Sequence, residues 1–167
     1  NINFYYITKM KNLDDQLALR ECWGRFTTGV SIITTRLSDK NIHGMTANGI
    51  LSVSLNPPIV LVSISTERNT HDFIKQRKSF GISILNSNQK KIAEYFSKDN
   101  ILEENVFDYK KMPGGEFVIS KSIAQFECNL FKEIKIYDHT LFLATINNFN
   151  FSLGDPLIWL DSKYNKL

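Results

Sequence analysis

Short stretches in which apolar residues alternate with polar ones, or follow one another without a break, recur along most of this chain. Both patterns are typical of β-strands, the first half-buried and the second buried on both faces. The β-branched run 30–35 is followed by polar turn residues and a second run, which predicts a hairpin. The predicted strands lie at residues 30–35, 42–47, 59–65, 80–85, 124–130, 134–137, 141–146 and 157–160.

Two of these runs predict where their strands lie. Residues 59–65 are apolar almost throughout, so we expect a strand in the middle of its sheet. Between 124 and 130 the even-numbered residues are apolar and the odd-numbered ones are Gln125, Glu127 and Asn129. Because successive side chains of a strand point to opposite faces, we expect these three polar side chains to face solvent.

Helical spacing is confined to three segments. A stripe from Leu13 through Leu17 to Gly24, with acidic residues in its first turn, predicts a helix that Asn12 can cap. Residues 71–76 and 89–96 predict two shorter helices, capped by Asn69 or Thr70 and by residues 86–88 respectively. Residues 97–112 are polar without clean periodicity and predict a long loop containing at most one helical turn.

Strands outnumber helices, and several successive strands are joined by short turns, at 113–115, 138–140 and 154–156. This pattern favours a mainly β fold, an antiparallel barrel or sandwich with short flanking helices. A length of 167 residues fits one domain, which we place at 12–167 after a leader of residues 1–11.

Composition narrows the class of protein. The chain is 43% hydrophobic and 22% charged, as expected for a globular domain. A net charge of +3 without basic runs gives no indication of nucleic-acid binding, and no apolar run approaches the roughly 18 residues of a membrane span. Cys22 and Cys128 lie far apart outside any C-x-x-C pattern, so we interpret them as reduced, buried thiols of a cytoplasmic protein.

Familiar catalytic motifs are scarce. His43, His71 and His139 have no metal-ligand companion at helical spacing, so we predict no metal site. The sequence contains no G-x-S-x-G, no P-loop, no H-E-x-x-H and no G-x-G-x-x-G. If the protein is an enzyme, a bound cofactor is expected to supply its chemistry.

The stretch 44–58 places small and polar residues at the mouth of a predicted strand and closes on two prolines. Such a segment can present N–H groups and hydroxyls to a flat ligand, although an ordinary strand–turn–strand accounts for it as well. Residues 68–70 precede a predicted helix, where an arginine and unpaired N–H groups can bind an anion. Simple capping by Asn69 or Thr70 explains that segment equally well.

Taken in order, these motifs resemble those of the flavin reductase family that has the FMN-binding split-barrel fold, the reductase components of two-component flavin monooxygenases. The resemblance extends over about residues 14–165. The matching segments are Arg25–Thr35, Gly44–Asn48, Ser52–Pro58, Asn69–His71, Phe80–Leu85, Asp138–Phe142, Asp155–Leu157 and Tyr164.

The resemblance implies a split barrel that works as a homodimer and transfers hydride from NADH or NADPH to FMN or FAD, in some relatives for use by a partner monooxygenase. It implies flavin contacts from Thr46, Ala47, Asn48, Gly49, Ser52 and Val53, and phosphate contacts from Arg68, Asn69 and Thr70. His139 matches a family histidine on the nicotinamide side of the flavin, the one catalytic candidate, and Tyr164 is a further candidate there.

Two positions depart from the family pattern. Gly49 stands where relatives often have Ser, and Tyr137 where many have Gly. These departures keep open a second hypothesis, a flavin-binding electron carrier that another protein reduces. An oxidase acting on a pyridoxal-type phosphate is a weaker third hypothesis, because no cluster of basic residues for a second phosphate is evident.

Overall fold

The computed structural model describes residues 13–38, 41–98, 101–102 and 106–167; the predicted leader and the predicted N-cap Asn12 lie outside the described residues. The helices of the described part are α1 (Leu13–Gly24), α2 (Asn69–Arg77) and α3 (Lys90–Phe96). Its strands are β1 (Thr28–Gly29), β2 (Ser31–Arg36), β3 (Ile42–Ala47), β4 (Ile50–Leu55), β5 (Pro58–Ser65), β6 (Ser79–Ile84), β7 (Ile101–Leu102), β8 (Tyr109–Lys111), β9 (Phe117–Ile119), β10 (Ala124–Ile136), β11 (His139–Phe151), β12 (Ile158–Leu160) and β13 (Lys163–Asn165).

Antiparallel pairing joins eight of these strands into one sheet in the order β4-β5-β11-β10-β6-β2-β3-β7. The first two runs predicted from the sequence form the hairpin β2–β3, in which Ser31 lies opposite Ala47. Strand β5, predicted to lie in the middle of its sheet, pairs on both sides, with β4 and β11, but it is the second of the eight strands rather than a central one. A smaller sheet, β1-β12-β13, adds the C-terminal hairpin β12–β13 beside β1.

Apolar side chains pack on both faces of the large sheet. Neighbouring residues of β2 illustrate the alternation, because Ile33 belongs to one core cluster and Ile32 to the other. Helix α2 contributes Ile74 to the first cluster, and α3 contributes Phe96 to the second. Each fully buried side chain of this size stabilises the fold by about 1.5–3 kcal/mol relative to exposure. The mainly β prediction with flanking helices is therefore confirmed.

The prediction that the polar residues of β10 face solvent is wrong for Gln125 and Glu127. Gln125 and Glu127 are each only 2% exposed. The Gln125 amide donates to the carbonyl of Ile119 at 2.6 Å, and the Glu127 carboxylate accepts from the backbone N–H of Glu116 at 2.9 Å. Alternation along one strand cannot reveal that a segment further back in the chain folds over its polar face.

Helix α1 forms as predicted, but none of its residues is buried, and both Leu13 and Leu17 are exposed. The apolar stripe therefore does not pack on the described chain. Cys22, predicted to be buried, is exposed for the same reason. Cys128 is buried as predicted, and burial raises the pKa of its thiol.

The predicted helix caps are also corrected. Asn69 and Thr70 are the first residues of α2 rather than its cap, which is Arg68 and makes no side-chain capping bond. Helix α3 is preceded by Gln89 rather than capped from residues 86–88, and the Gln89 side chain accepts from the N–H of Asn86 at 2.9 Å.

Two connections also differ from expectation. Described residues within the predicted loop 97–112 form β7 and β8, and none of those described residues is helical. The turn predicted at 138–140 lies at Tyr137 and Asp138 instead, and His139 is already the first residue of β11. Tyr137 adopts a left-handed φ of 52°, which closes the hairpin one residue early.

Candidate functional site

A recess of about 200 Å³ lies where the end of β3, the residue before α2, the residue after α3 and the C-terminal hairpin meet. We call it the polar recess. Its lining residues are Val30, Thr46, Ala47, Asn48, Arg68, Ser97, Trp159 and Tyr164. Five of them are site residues predicted from the resemblance: Thr46, Ala47, Asn48, Arg68 and Tyr164.

The end of β3 is fixed from behind by α3. A Cβ atom on Gly44 would lie 2.5 Å from the Phe96 ring, so only glycine lets the helix pack this close to the strand. The Thr46 hydroxyl donates to the carbonyl of Ala93 at 2.6 Å. Thr46 therefore has only its oxygen lone pairs to offer a ligand.

The connection from β3 to β4 places Asn48 in the recess. The N–H of Ile50 donates to the Asn48 carbonyl at 3.0 Å, and the N–H of Ser63 donates to the Gly49 carbonyl at 2.9 Å. These bonds fix the backbone on either side of the exposed Asn48 side chain. A Cβ atom on Gly49 would lie 3.4 Å from the Ser63 carbonyl oxygen, so a serine there would fit only tightly.

Arg68 enters the recess from the turn between β5 and α2. Its backbone N–H donates to the Ser65 carbonyl at 3.1 Å, and the N–H of Thr66 donates to the Asp138 carbonyl at 2.8 Å. The turn is thus attached to the β10–β11 hairpin. An exposed guanidinium beside the N-terminus of a nine-residue helix gives this side of the recess a positive potential.

His139 lies close to that turn, opposite Ser65 in the pairing of β11 with β5. Its Nδ1 is 3.0 Å from a carboxylate oxygen of Asp138. The hydrogen bond to His139 lowers the pKa of Asp138, with a smaller contribution from the backbone. His139 is about half exposed and does not line the polar recess.

The C-terminal hairpin supplies two aromatic rings. Trp159 pairs with Tyr164 across β12 and β13, and their ring centroids are 4.9 Å apart at an interplanar angle of 65°. Burial, and secondarily the negative charge of Glu94, raise the pKa of Tyr164, so its ring stays neutral. Aromatic rings at this spacing and angle attract each other edge to face.

A second cavity, of about 540 Å³, adjoins the recess, and we call it the apolar groove. Asn48 lines both cavities. Ser52, another predicted site residue, lines the apolar groove but not the polar recess. The groove is lined by Phe26, Thr28, Gly29, Ser31, Asn48, Ile50, Ser52, Ser54, Leu55, Pro58, Val60, Ile82, Ile84, Phe126 and Ile146.

The remaining predicted site residues line neither cavity: Gly49, Val53, Asn69, Thr70 and His139. Thr70 is fully buried, and its hydroxyl lies 2.8 Å from Nε2 of His43, so its side chain does not face either cavity. Trp159 was not among the predicted site residues, because it lies in the predicted strand 157–160 and nothing in the sequence shows which face of that strand it occupies.

No three His, Cys, Asp or Glu side chains among residues 13–38, 41–98 and 106–167 are placed to hold a metal ion. Within the same part of the chain, no helix combines the length and the apolar character needed to cross a membrane.

Comparison with known proteins gives one consistent answer. Residues 23–167 match the model of the flavin reductase like domain. The chain is 29% identical over 154 residues to the NADH-dependent flavin reductase StyB of Pseudomonas fluorescens, covering 90% of this chain and 89% of that protein.

Solved structures agree in fold. Flavin reductase PheA2 in its native state superimposes with a TM-score of 0.83 at 38% identity, covering 93% of this chain and 99% of that one. NADH:FAD oxidoreductase SgcE6 of Streptomyces globisporus, in complex with NAD and FAD fragments, gives 0.86 at 26% identity, covering 96% and 97%. The split-barrel fold implied by the resemblance is confirmed, and the chain belongs to the flavin reductase like domain family.

Proposed function

We propose that this protein is an NADH-dependent flavin reductase that binds FMN or FAD in the polar recess. The observation that supports this most is the meeting of Asn48, Arg68 and Tyr164, from three separate parts of the chain, around one recess. When bound, the flavin supplies the ring that accepts hydride from the nicotinamide. The protein's part is to bind and orient the two nucleotides, which requires no protein nucleophile.

The residues of the recess suit a flavin. An isoalloxazine ring is planar, and its edges carry carbonyl groups and ring nitrogens. An amide side chain such as that of Asn48 can both donate hydrogen bonds to these edges and accept them. A flavin nucleotide also has a phosphate, and Arg68 brings a guanidinium to the same recess. Tyr164 and Trp159 provide an aromatic wall.

The other predicted contacts keep their proposed roles. Ser52 and Val53 would extend the flavin wall along β4, and Gly49 would contribute its backbone. Asn69 and Thr70 would offer N–H groups of the first turn of α2 to the phosphate. These assignments depend on the resemblance and on the positions of the elements.

His139 is proposed to act on the nicotinamide side. This proposal is supported by the bond between the N–H of Thr66 and the Asp138 carbonyl, which attaches the hairpin of His139 to the turn that carries Arg68. The Asp138 carboxylate accepts from Nδ1, so Nε2 is the nitrogen directed outward for a ligand contact. The expected role is to position the nicotinamide.

A homodimer and a partner oxygenase belong to the same proposal. Strand β4 exposes Leu51, Val53 and Leu55 beside the apolar groove, and Leu55 is 88% exposed. An apolar surface of this kind is typical of protein interfaces, and we propose that a second copy of the chain covers it. Delivery of reduced flavin to a separate monooxygenase follows from the resemblance, whereas the cytoplasmic location is proposed from the spacing of the two cysteines. The division into a leader (1–11) and a domain (12–167) likewise stays a prediction.

The test of the proposed activity is simple. Purified protein is mixed with FMN or FAD and with NADH or NADPH, and oxidation of the nicotinamide is followed by its absorbance. We expect many turnovers with NADH. No oxidation with any of the four combinations would contradict the proposal, and tight flavin binding without oxidation would favour the electron carrier that Gly49 and Tyr137 suggested.

A further inference from the structure

The C-terminal hairpin is firmly attached to the barrel at its base. The N–H of Val30 donates to the Leu157 carbonyl, and the N–H of Leu157 donates to the Leu85 carbonyl, each at 3.0 Å. At the tip of the hairpin, the N–H of Asp161 donates to the Gly24 carbonyl at 2.8 Å. These bonds at both ends fix the hairpin relative to the β3 end of the recess.

Trp159 is held from both sides within this hairpin. Its backbone pairs with Thr28 of β1 and with Tyr164 of β13. The edge-to-face contact with Tyr164 restricts the indole ring, and part of the ring packs against the second core cluster. The side chain is nevertheless only half-buried, and its accessible part lines the polar recess.

A tryptophan whose only role is core packing is not expected to line a cavity together with an exposed amide and a guanidinium. Here Trp159 lines the same recess as Asn48 and Arg68. Indole is the largest aromatic surface that a protein offers, and planar heteroaromatic rings stack on it with little regard to their substituents. A ligand that presents both such a ring and a phosphate would satisfy Trp159 and Arg68 together.

We infer that Trp159 contacts the heteroaromatic ring of a bound nucleotide and that Tyr164 positions the indole for this contact. The inference rests on the proposed function, since it names a further residue of the same site. It adds a binding residue that none of the recognised motifs contains. The ring is that of the flavin or of the nicotinamide nucleotide, and the two ligands are separated in the test.

The chain contains two tryptophans, Trp159 and the exposed Trp23 of α1, which form a matched pair. Dissociation constants for FMN, FAD and NAD⁺ are measured by isothermal titration calorimetry on the parent, Trp159→Leu, Trp159→Phe and Trp23→Leu. Because stacking on an aromatic side chain is lost, Trp159→Leu is expected to weaken at least one of these ligands by about tenfold. Trp159→Phe should restore most of that loss, and Trp23→Leu should change nothing.

The pattern of losses identifies the ring. A loss for FMN and FAD alone assigns the contact to the flavin, and a loss for NAD⁺ alone assigns it to the nicotinamide nucleotide; both results support the inference. Parent-like affinity of folded Trp159→Leu for all three ligands would overturn it. So would an equal loss in Trp159→Leu and Trp159→Phe accompanied by equal loss of thermal stability, since that indicates core packing.

A second readout covers the case in which Trp159→Leu does not fold. Trp23→Phe leaves Trp159 as the only tryptophan, and Trp159→Phe leaves Trp23. Saturating FMN should quench emission of the first protein by a clearly larger fraction than that of the second, and equal quenching would overturn a flavin contact. If the parent neither binds flavin nor oxidises NADH, the proposed function fails with the inference. If the parent binds flavin and Trp159→Leu binds all three ligands as the parent does, the inference alone is refuted.

Discussion

Two polar regions of this molecule differ in what their polar groups contact. The first region surrounds Glu127, where the segment 112–119 covers β10. The Glu127 carboxylate accepts from the N–H groups of Gly114 and Glu116 and from the Asn148 amide, at 2.6–2.9 Å. In the polar recess, the side chains of Asn48 and Arg68 are exposed beside an aromatic wall. In the first region the Glu127 carboxylate is bonded within the protein, whereas the polar groups of the second region are accessible to a ligand.

The difference separates stability from binding. Buried polar groups that bond to each other stabilise a fold, and their removal leaves unpaired donors. Polar groups that face a cavity contribute little to the fold, so they can be reserved for a ligand. Changes in the Glu127 region should therefore alter unfolding, and changes in the recess should alter nucleotide affinity.

The largest expected effect is that of Glu127→Leu. It removes the acceptor of three donors, of which the Glu116 N–H is buried and the other two are part-buried, and such a loss destabilises a protein by about 3 kcal/mol. Urea unfolding measures the change. Glu133→Gln on the same strand is the control, because its pair with Lys78 is largely exposed and worth at most about 1 kcal/mol. Equal destabilisation by the two variants would show that the bonds of Glu127 matter no more for stability than the Lys78–Glu133 pair does.

Asn48→Ala should give the opposite pattern. The lost amide contacts should weaken FMN binding by about tenfold, while the free energy of unfolding stays within about 0.5 kcal/mol of the parent. Isothermal titration and urea unfolding measure the two quantities. Asn88→Ala, an exposed asparagine outside both cavities, is the control. Unchanged FMN affinity in Asn48→Ala would remove this residue from the site.

Tyr137→Gly concerns the hairpin that positions His139. Because Tyr137 has a left-handed φ of 52°, glycine should relieve strain and stabilise the protein by about 1 kcal/mol. Thermal unfolding measures the change, and Lys135→Gly within β10 should destabilise instead. If Tyr137→Gly is more stable but binds FMN as the parent does, the separation of stability from binding is supported. Destabilisation by Tyr137→Gly would contradict the strain argument.

The smallest expected effect is the pH dependence of the Asp138–His139 pair. The lowered pKa of Asp138 means that this bond stabilises the fold above the ordinary carboxyl pKa, and the contribution disappears as the pH falls through the lowered value. In His139→Ala the pKa of Asp138 should rise toward its ordinary value, as followed by NMR titration of the carboxyl carbon. An unchanged titration curve would show that the pair does not form in solution.

The sequence pattern was sufficient for the strands of the large sheet apart from β4 and β7, and for the recess residues that fall within recognised motifs. It could not reveal the burial of Gln125 and Glu127, because that depends on the segment 112–119 folding over β10. Nor could it show that Thr70 bonds to His43 rather than facing a ligand. Contacts between distant segments have no local signature in the hydrophobic pattern.

Trp159 is a residue of the site whose position in the recess the sequence pattern likewise could not predict. Its apolar neighbours predict a strand, but a three-residue strand has too short an alternation to distinguish an inward face from a cavity wall. The indole becomes significant only when β12 is placed beside the end of β3 and the Arg68 turn. Motif comparison could not substitute for that geometry, because Trp159 lies outside the matching segments.

The most direct test of the central claim, that the recess binds a flavin nucleotide through groups the fold leaves available, compares FMN with riboflavin. The two ligands differ only in the phosphate that Arg68 is proposed to hold. Arg68→Gln should weaken FMN binding by about tenfold or more, since hydrogen bonds to charged groups are the stronger ones, and leave riboflavin binding almost unchanged. Equal affinities of parent and variant for FMN, measured by calorimetry, would contradict the account.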